Sequence, residues 1–326
     1  MDVAEIVARE FGLGAVVSFR RATAGIMNVN WQLVTGSGTY AVKLQRDGTP
    51  EQARMVQRVL PSVAELRVRV PIARVTRGGD TLLRVGDDWY MVFDWLPGTH
   101  PREGDVDLDA CAAFGDLVGR LHLRLAGVCP VVPRTVVDTP VRAADAAAAL
   151  AGYAERGTGD DFDLVARPVI AWRRALLAEV GDHRPAGGAI GPAGWTHGDL
   201  QPFNLLGEDG RITGVLDWDR LGVRTYGLEV VRAATITFST GEQDGLDLER
   251  VAAFARAYRV HIEVSDAELA DAAHRRWWVL ATDVWPLDRH YDDGDTSCDD
   301  IFVRRCRFLR WWSSHRAAVV EALTRR

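Results

Sequence analysis

Residues 195–219 read WTHGDLQPFNLLGEDGRITGVLDWD. Four residues separate Asp199 from Asn204 in a loop broken by Pro202. Two apolar runs come next, Leu205-Leu206 and Ile212 to Leu216, joined across Gly207-Glu208-Asp209-Gly210. Short apolar runs around a Gly- and Asp-rich turn predict a hairpin. That hairpin returns Asp217, at the end of the second run, beside Asn204. Taken singly, each residue has a plainer reading: Asp, Pro and Asn are common turn formers, and an Asp often ends a strand. The convergence of all three is what points to chemistry.

Upstream, the first 95 or so residues read mostly as strands: 15–22, 31–35, 39–45, 81–85 and 89–94. Gly36-Ser37-Gly38 marks a hairpin turn. A helix is expected at about 50–60, with Thr49 as cap, Pro50 at its first position and Gln52 completing a capping box. The run Asp94-Trp95-Leu96-Pro97-Gly98-Thr99-His100-Pro101 reads as a connector. Beyond it the periodicity turns helical, near 107–125, 140–155, 163–180, 247–261, 265–281 and 301–324. The plan is α+β: a small β-rich N-terminal lobe over 1–95, and a larger, mainly helical C-terminal lobe over 96–326.

Composition restricts the function classes. The chain has 326 residues, 47% apolar and 26% charged, with a net charge of −6. This suits a globular protein with a sizeable core and argues against nucleic-acid binding, which needs a basic surface. No apolar run reaches a membrane span of about 20 residues. The first residues, MDVAEIVAREFGLG, read as an amphipathic helix, not as a signal peptide. Cys111, Cys129, Cys298 and Cys306 form no CxxC pair and read as reduced thiols of a cytoplasmic protein. Of the 39 basic residues only Lys43 is a lysine. It lies in a predicted strand and points away from the face of Tyr40, Val42 and Leu44. A chain that otherwise uses Arg, yet keeps one ammonium in a strand, marks that position, because a compact charge on a flexible stem is what reaches a phosphate.

The segment His197-Gly-Asp199-Leu-Gln-Pro-Phe-Asn204, followed by Asp217, resembles the catalytic loop and metal-binding Asp of the aminoglycoside phosphotransferase and choline kinase family. These are relatives of the protein kinases, whose HRDxxxxN signature has the same Asp-to-Asn spacing. The resemblance covers most of the chain, with Lys43 in place of the small-lobe lysine and Leu96-Pro97-Gly98 in the hinge. It implies a protein-kinase-like two-lobed fold and transfer of the γ-phosphoryl group of ATP (or GTP) to a hydroxylated small molecule. It also implies Asp199 as proton acceptor, Asn204 and Asp217 as Mg²⁺ ligands, and Lys43 on the α/β-phosphates. The glycine loop GxGxxG is absent, and Asn28 or Asn30 is left as a phosphate contact. Glu51, ahead of Glu65, is the candidate carboxylate for Lys43. Gln201 stands where the family often has His, and His197 is expected to brace the loop. The acceptor is open between an antibiotic such as an aminoglycoside and a metabolite such as homoserine, choline or a sugar; a non-catalytic pseudokinase is the third reading. Residues 283–300 carry seven Asp against one Arg, which reads either as a surface attracting a cationic acceptor or as a solvated acidic loop. Trp277, Trp278 and Trp285 read as core or as a stacking surface for a substrate ring.

Overall fold

The computed structural model describes residues 2–22, 29–46, 48–102, 107–240 and 245–326. The chain divides into two compact units. The first gathers Met1–Val106, Arg120–Val131 and Trp195–Gly222, and the second gathers Asp107–Gly119, Val132–Gly194 and Val223–Arg326.

The first unit opens with α1 (Val3–Glu10), capped by the Asp2 side chain. Then come β1 (Val16–Arg21), β2 (Val29–Thr35), β3 (Gly38–Leu44), α2 (Pro50–Ala64), β4 (Leu83–Val85) and β5 (Asp88–Asp94). The strands form one antiparallel sheet in the order β1-β2-β3-β5-β4. Alternation of side chains along β3 divides its two faces. Tyr40, Val42 and Leu44 pack with α1 residues such as Val7 and Ala8 in one buried cluster. Ala41 faces a second cluster containing Ala53 of α2 and Met91 and Phe93 of β5. Lys43 alternates with Val42 and Leu44, so it falls on the second face, paired in register with Met91. The α2 capping box forms as expected, with Thr49 and Gln52 bonding each other's backbone N–H groups. This helix runs four residues past its expected end, to Ala64.

In chain order the next elements are α3 (Leu108–Val128), β6 (Val136–Asp138), α4 (Ala143–Arg156), α5 (Asp161–Val180), β7 (Gly188–Ile190), β8 (Ala193–Thr196), β9 (Leu205–Glu208), β10 (Arg211–Val215) and β11 (Gly222–Thr225). The chain ends with α6 (Tyr226–Thr237), β12 (Ser239–Thr240), β13 (Gly245–Leu246), α7 (Leu248–Tyr258), α8 (Asp266–Thr282), α9 (Trp285–Tyr291), α10 (Asp299–Ser314) and α11 (Arg316–Thr324). The single helix expected over 301–324 is broken at His315, whose ring stacks on Trp311 at 4.4 Å. The helical unit is built on buried large side chains, Trp277, Trp278, Trp312, Tyr258 and Phe254 among them. All four cysteines are buried and free. Among the described residues, no helix is long and apolar enough to cross a membrane.

Candidate active site

The β9–β10 hairpin belongs to the first unit because backbone bonds stitch it there. Arg69 N–H donates to Thr213 O at 2.9 Å and Val215 N–H to Arg69 O at 2.9 Å. Gly207 and Thr99 exchange bonds of 2.7 and 3.1 Å. Gly98 permits this approach: its φ is +117°, and a Cβ there would meet Leu206 Cβ at 3.1 Å. The connector after β5 thus fixes the hairpin, and the hairpin fixes the position of Asp217 beyond its second strand.

The loop between β8 and β9 is organised by His197, fully buried after Thr196. Its Nδ1 accepts from Asp199 N–H at 3.1 Å, so Nε2 carries the proton and donates to Leu216 O at 2.9 Å. Its ring meets Trp218 edge-on at 4.6 Å. Asn204, 7% exposed, donates from Nδ2 to the Asp199 carbonyl at 2.8 Å and to Asp199 Oδ2 at 2.9 Å. Gln201 Nε2 donates to the same Oδ2 at 3.0 Å. Two amides therefore hold one carboxylate oxygen and fix the plane of the acid. Leu216 N–H donates to Asn204 O at 2.8 Å, which draws the end of β10 alongside. Asp217 then adopts a left-handed conformation, φ 56° and ψ 69°, uncommon outside Gly, Asn and Asp.

Lys43 completes the constellation from β3. Its Nζ lies 2.8 Å from Asp217 Oδ1 and 2.6 Å from Asp219 Oδ2. The Lys43 and Asp219 side chains are each 10% exposed, whereas that of Asp217 is 37% exposed. Burial acts to lower the Lys43 pKa, but attraction to Asp217 and Asp219 outweighs it and the pKa is raised. Burial acts to raise that of Asp217, and Lys43 outweighs it in turn, so the carboxyl is held below the ordinary range.

The phosphotransferase enzyme family (APH) matches residues 18–264. The chain belongs to this family. Similar proteins include the homoserine kinase of Gluconacetobacter diazotrophicus, 26% identical over 332 residues and covering 97% of this chain and 96% of that one. The homoserine kinase of Gluconobacter oxydans is 24% identical over 209 residues, covering 64% of this chain and 62% of the relative. Among solved structures, spectinomycin phosphotransferase APH(9)-Ia, in complex with ADP and spectinomycin, superposes with a TM-score of 0.65 at 13% identity, covering 98% of each chain. The antiparallel sheet and the helical C-terminal part are thus those of a kinase-like phosphotransferase.

Several expected residues stand elsewhere in this phosphotransferase. Glu51 does not reach Lys43: its side chain is 80% exposed, and its nearest ion-pair partner is Arg54 at 3.8 Å. Glu65 pairs with Arg124 at 2.9 Å. The carboxylates on the lysine are Asp217 and Asp219, the second a residue to which spacing alone gives no role. An Asp two residues beyond a strand-ending Asp is the available signal. Asn28 lies outside the described residues. Asn204 turns its amide nitrogen to Asp199, which leaves its oxygen as the atom able to face a cation. With the partly exposed Asp217 carboxylate this gives two hard oxygen donors, a set that suits Mg²⁺, whose remaining positions are normally filled by water and substrate phosphate. Among the described residues, no cluster of three or more His, Cys, Asp and Glu could hold a metal ion unaided.

Six of the seven Asp side chains of 283–300 have partners within the same unit. Asp283 pairs with Arg305 at 2.8 Å and Asp292 with Arg156 at 2.5 Å. Asp288 and Asp292 accept from the Tyr153 hydroxyl. Asp293 and Asp295 share Arg289, and Asp299 lies 3.0 Å from His290. Trp277 and Trp278 are core residues, each 1% exposed, with their Nε1–H groups on Ser313 Oγ and Val141 O.

Proposed function

We propose that this phosphotransferase carries the γ-phosphoryl group of ATP or GTP to a hydroxyl of a small molecule, with the nucleotide side in 1–95 and catalysis and acceptor binding in 96–326. The observation that supports it best is the convergence of Asp199, Asn204, Asp217 and Lys43 in one compact unit. Phosphoryl transfer needs positioned charge more than covalent chemistry. Asp199, oriented through Oδ2 by Gln201 and Asn204, takes the proton of the acceptor hydroxyl. Lys43 binds the α/β-phosphates once a nucleotide competes for its ammonium. Asn204 and Asp217 would hold Mg²⁺, which neutralises phosphate charge when bound. Retention of all four groups counts against a pseudokinase.

For the acceptor, we favour a hydroxylated amino acid, in the manner of the relatives named homoserine kinase. A strongly cationic antibiotic is less favoured, because four of the seven carboxylates of 283–300 are paired with Arg156, Arg289 and Arg305. The test is nucleoside diphosphate release with Mg²⁺ and ATP or GTP, over a panel of L-homoserine, choline, aminoglycosides, spectinomycin and a macrolide. Acceptor-dependent release is expected. Tight nucleotide binding with no release for any hydroxylated acceptor would leave the pseudokinase in its place.

A further inference from the structure

A cleft of about 950 Å³ opens in the second unit and is lined by residues of that unit alone. Five arginines line it: Arg134 ahead of β6, Arg256 in α7, Arg259 just after α7, and Arg325 and Arg326 just after α11. Hydrogen bonds hold these segments together. Arg134 O accepts from Ala193 N–H at 2.8 Å, beside Pro192 of the same lining. Arg259 Nη1 donates to Thr324 O at 3.2 Å, which seats the end of α7 against the end of α11. Arg325 reaches back to Glu249, in the first turn of α7, at 2.6 Å.

Five guanidiniums round one cleft run against a net charge of −6, and the acids nearby do not use them up. Glu268 lines the cleft, but its carboxylate accepts from the Ser265 N–H and hydroxyl at 2.7 and 2.8 Å, in the capping box of α8. Glu263 is the other acid of the lining and is exposed. His261, also in the lining, is bonded to Asp116 at 2.7 Å. Asp266 pairs with Arg259 at 2.5 Å and lies 3.9 Å from Arg326, whose side chain is 82% exposed. Arg134 and Arg256 are exposed and form no ion pair with a carboxylate among the described residues. A guanidinium presents five N–H donors in a planar fork. One carboxylate takes two of them at most, so even the paired Arg259 and Arg325 can bond a further anion.

We propose that this cleft is a second ligand site, which takes a small molecule bearing two or more phosphate groups. Its arginines arrive from three separate segments, so no single planar carboxylate could meet them all. Linked phosphates present oxygens in several directions, and each can engage a different fork. The volume is also larger than one phosphate fills and lies within the range of small-molecule sites. No residue of the cleft belongs to the constellation of Lys43, Asp199, Asn204 and Asp217, and the proposal stands whether or not that constellation transfers phosphate.

Calorimetric titration of the whole chain with inorganic tripolyphosphate, in EDTA and without nucleotide, tests this apart from catalysis. The wild type is expected to bind tripolyphosphate at least about tenfold more tightly than orthophosphate, as one added charge-assisted contact implies. Replacing both unpaired arginines, Arg134→Met with Arg256→Met, should weaken tripolyphosphate binding about tenfold to a hundredfold. Both side chains are exposed, so the double variant should melt with the wild type. Lys43→Met, which removes the ammonium assigned to the nucleotide phosphates, should leave the binding that the double variant loses. Absence of tripolyphosphate binding overturns the proposal, and so does an affinity equal to that for orthophosphate; neither result needs a variant. Binding that ignores Arg134 and Arg256, or that disappears in Lys43→Met instead, overturns it as well, since the phosphates would then sit at the candidate active site. Tighter binding of hexaglutamate than of tripolyphosphate would also overturn it, and would make the cleft a seat for an acidic protein segment.

Discussion

Replacing Lys43 by Met would strand two carboxylates. The lysine and Asp219 are each 10% exposed and the ammonium lies 2.6 and 2.8 Å from its partners, so this is not a surface pair. Breaking a buried pair from one side costs about 3–5 kcal/mol. Asp217, at 37% exposure, admits water, which favours the lower figure, about 3 kcal/mol. A chain of 326 residues has an unfolding entropy of about 0.7 kcal/mol/K at roughly 2.1 cal/mol/K per residue, so a single transition should fall by roughly 4 °C. Mg²⁺ should reverse much of this. On the proposed assignment, the wild-type ammonium would compete with a divalent cation for Asp217, and in the variant it would not. A cation at about a hundredfold excess over its Kd returns about 2.7 kcal/mol. Thermal melts of both proteins with and without Mg²⁺ test the argument, and the wild type should gain less. The pH dependence comes from the two shifts. Lys43, with its pKa raised, contributes fully below its unfolded value of about 10.4 and loses that contribution as pH rises through the folded value. Asp217, with its pKa lowered, contributes above about 3.9 and loses that contribution as pH falls through its folded value. The stability gap between wild type and Lys43→Met should therefore be flat from roughly pH 5 to 9 and shrink below about pH 4. No loss of Tm, or an equal Mg²⁺ response in both proteins, would refute the competition.

The same constellation yields shorter tests. Asp199→Asn should lower kcat about 10²–10⁴-fold while nucleotide Kd holds; turnover above about a tenth of wild type would remove Asp199 as proton acceptor. Asp217→Ala should abolish the Mg²⁺ dependence of nucleotide binding and Asn204→Ala only weaken it, since a carboxylate brings full charge and an amide a dipole; titration with and without Mg²⁺ ranks them, and the reverse order would count against both assignments. Lys43→Arg should raise nucleotide KM and lower turnover, and wild-type constants in that variant would make Lys43 a compositional accident. His122 is fully buried; burial, then His197, hold its pKa down to about 3. Unfolded, it takes up a proton near pH 6.5, so stability should fall by up to about 1.4 kcal/mol per unit as pH drops from there. Melts of His122→Gln between pH 4 and 6 should show a shallower slope than wild type, and an identical slope would exclude His122 as a source of acid sensitivity.

Local features are the readable ones. The capping box at Thr49 and the face of Lys43 on β3 come from spacing alone, and so does the hairpin that returns Asp217. Meetings of distant segments are not legible in this way. Lys43 and Asp217 are 174 residues apart, and each stands out only as an oddity of its own neighbourhood. Asp219 reads from the sequence only as a residue that orients the loop or meets solvent, because nothing in Asp217-Trp218-Asp219 reveals that Asp217 turns left-handed and that both acids reach one ammonium. Glu51 misleads for the converse reason: a place in the first turn of α2 does not say which way that turn faces. The charge of 283–300 reads as a field because two of its neutralising arginines, Arg156 and Arg305, arrive from α4 and α10. Residues 226–237 fold as the unforeseen α6.

The single lysine acquires a reason from this geometry. The cation holds Asp217 and Asp219 together, and on the proposed assignment it would release Asp217 to a metal when a nucleotide binds. An arginine would satisfy the first demand too well. Its fork engages carboxylates through parallel hydrogen bonds, which ties both acids more rigidly than a single ammonium does. An ammonium bonds each oxygen once and can rotate a donor away. The burial gradient favours one direction for that proposed release. Asp219, more deeply buried than Asp217, stays with the lysine, and the more exposed Asp217 is the one that can change partner. On the proposed assignment, Lys43 and Asp219 would remain paired while Asp217 would be the carboxylate free to hold a metal.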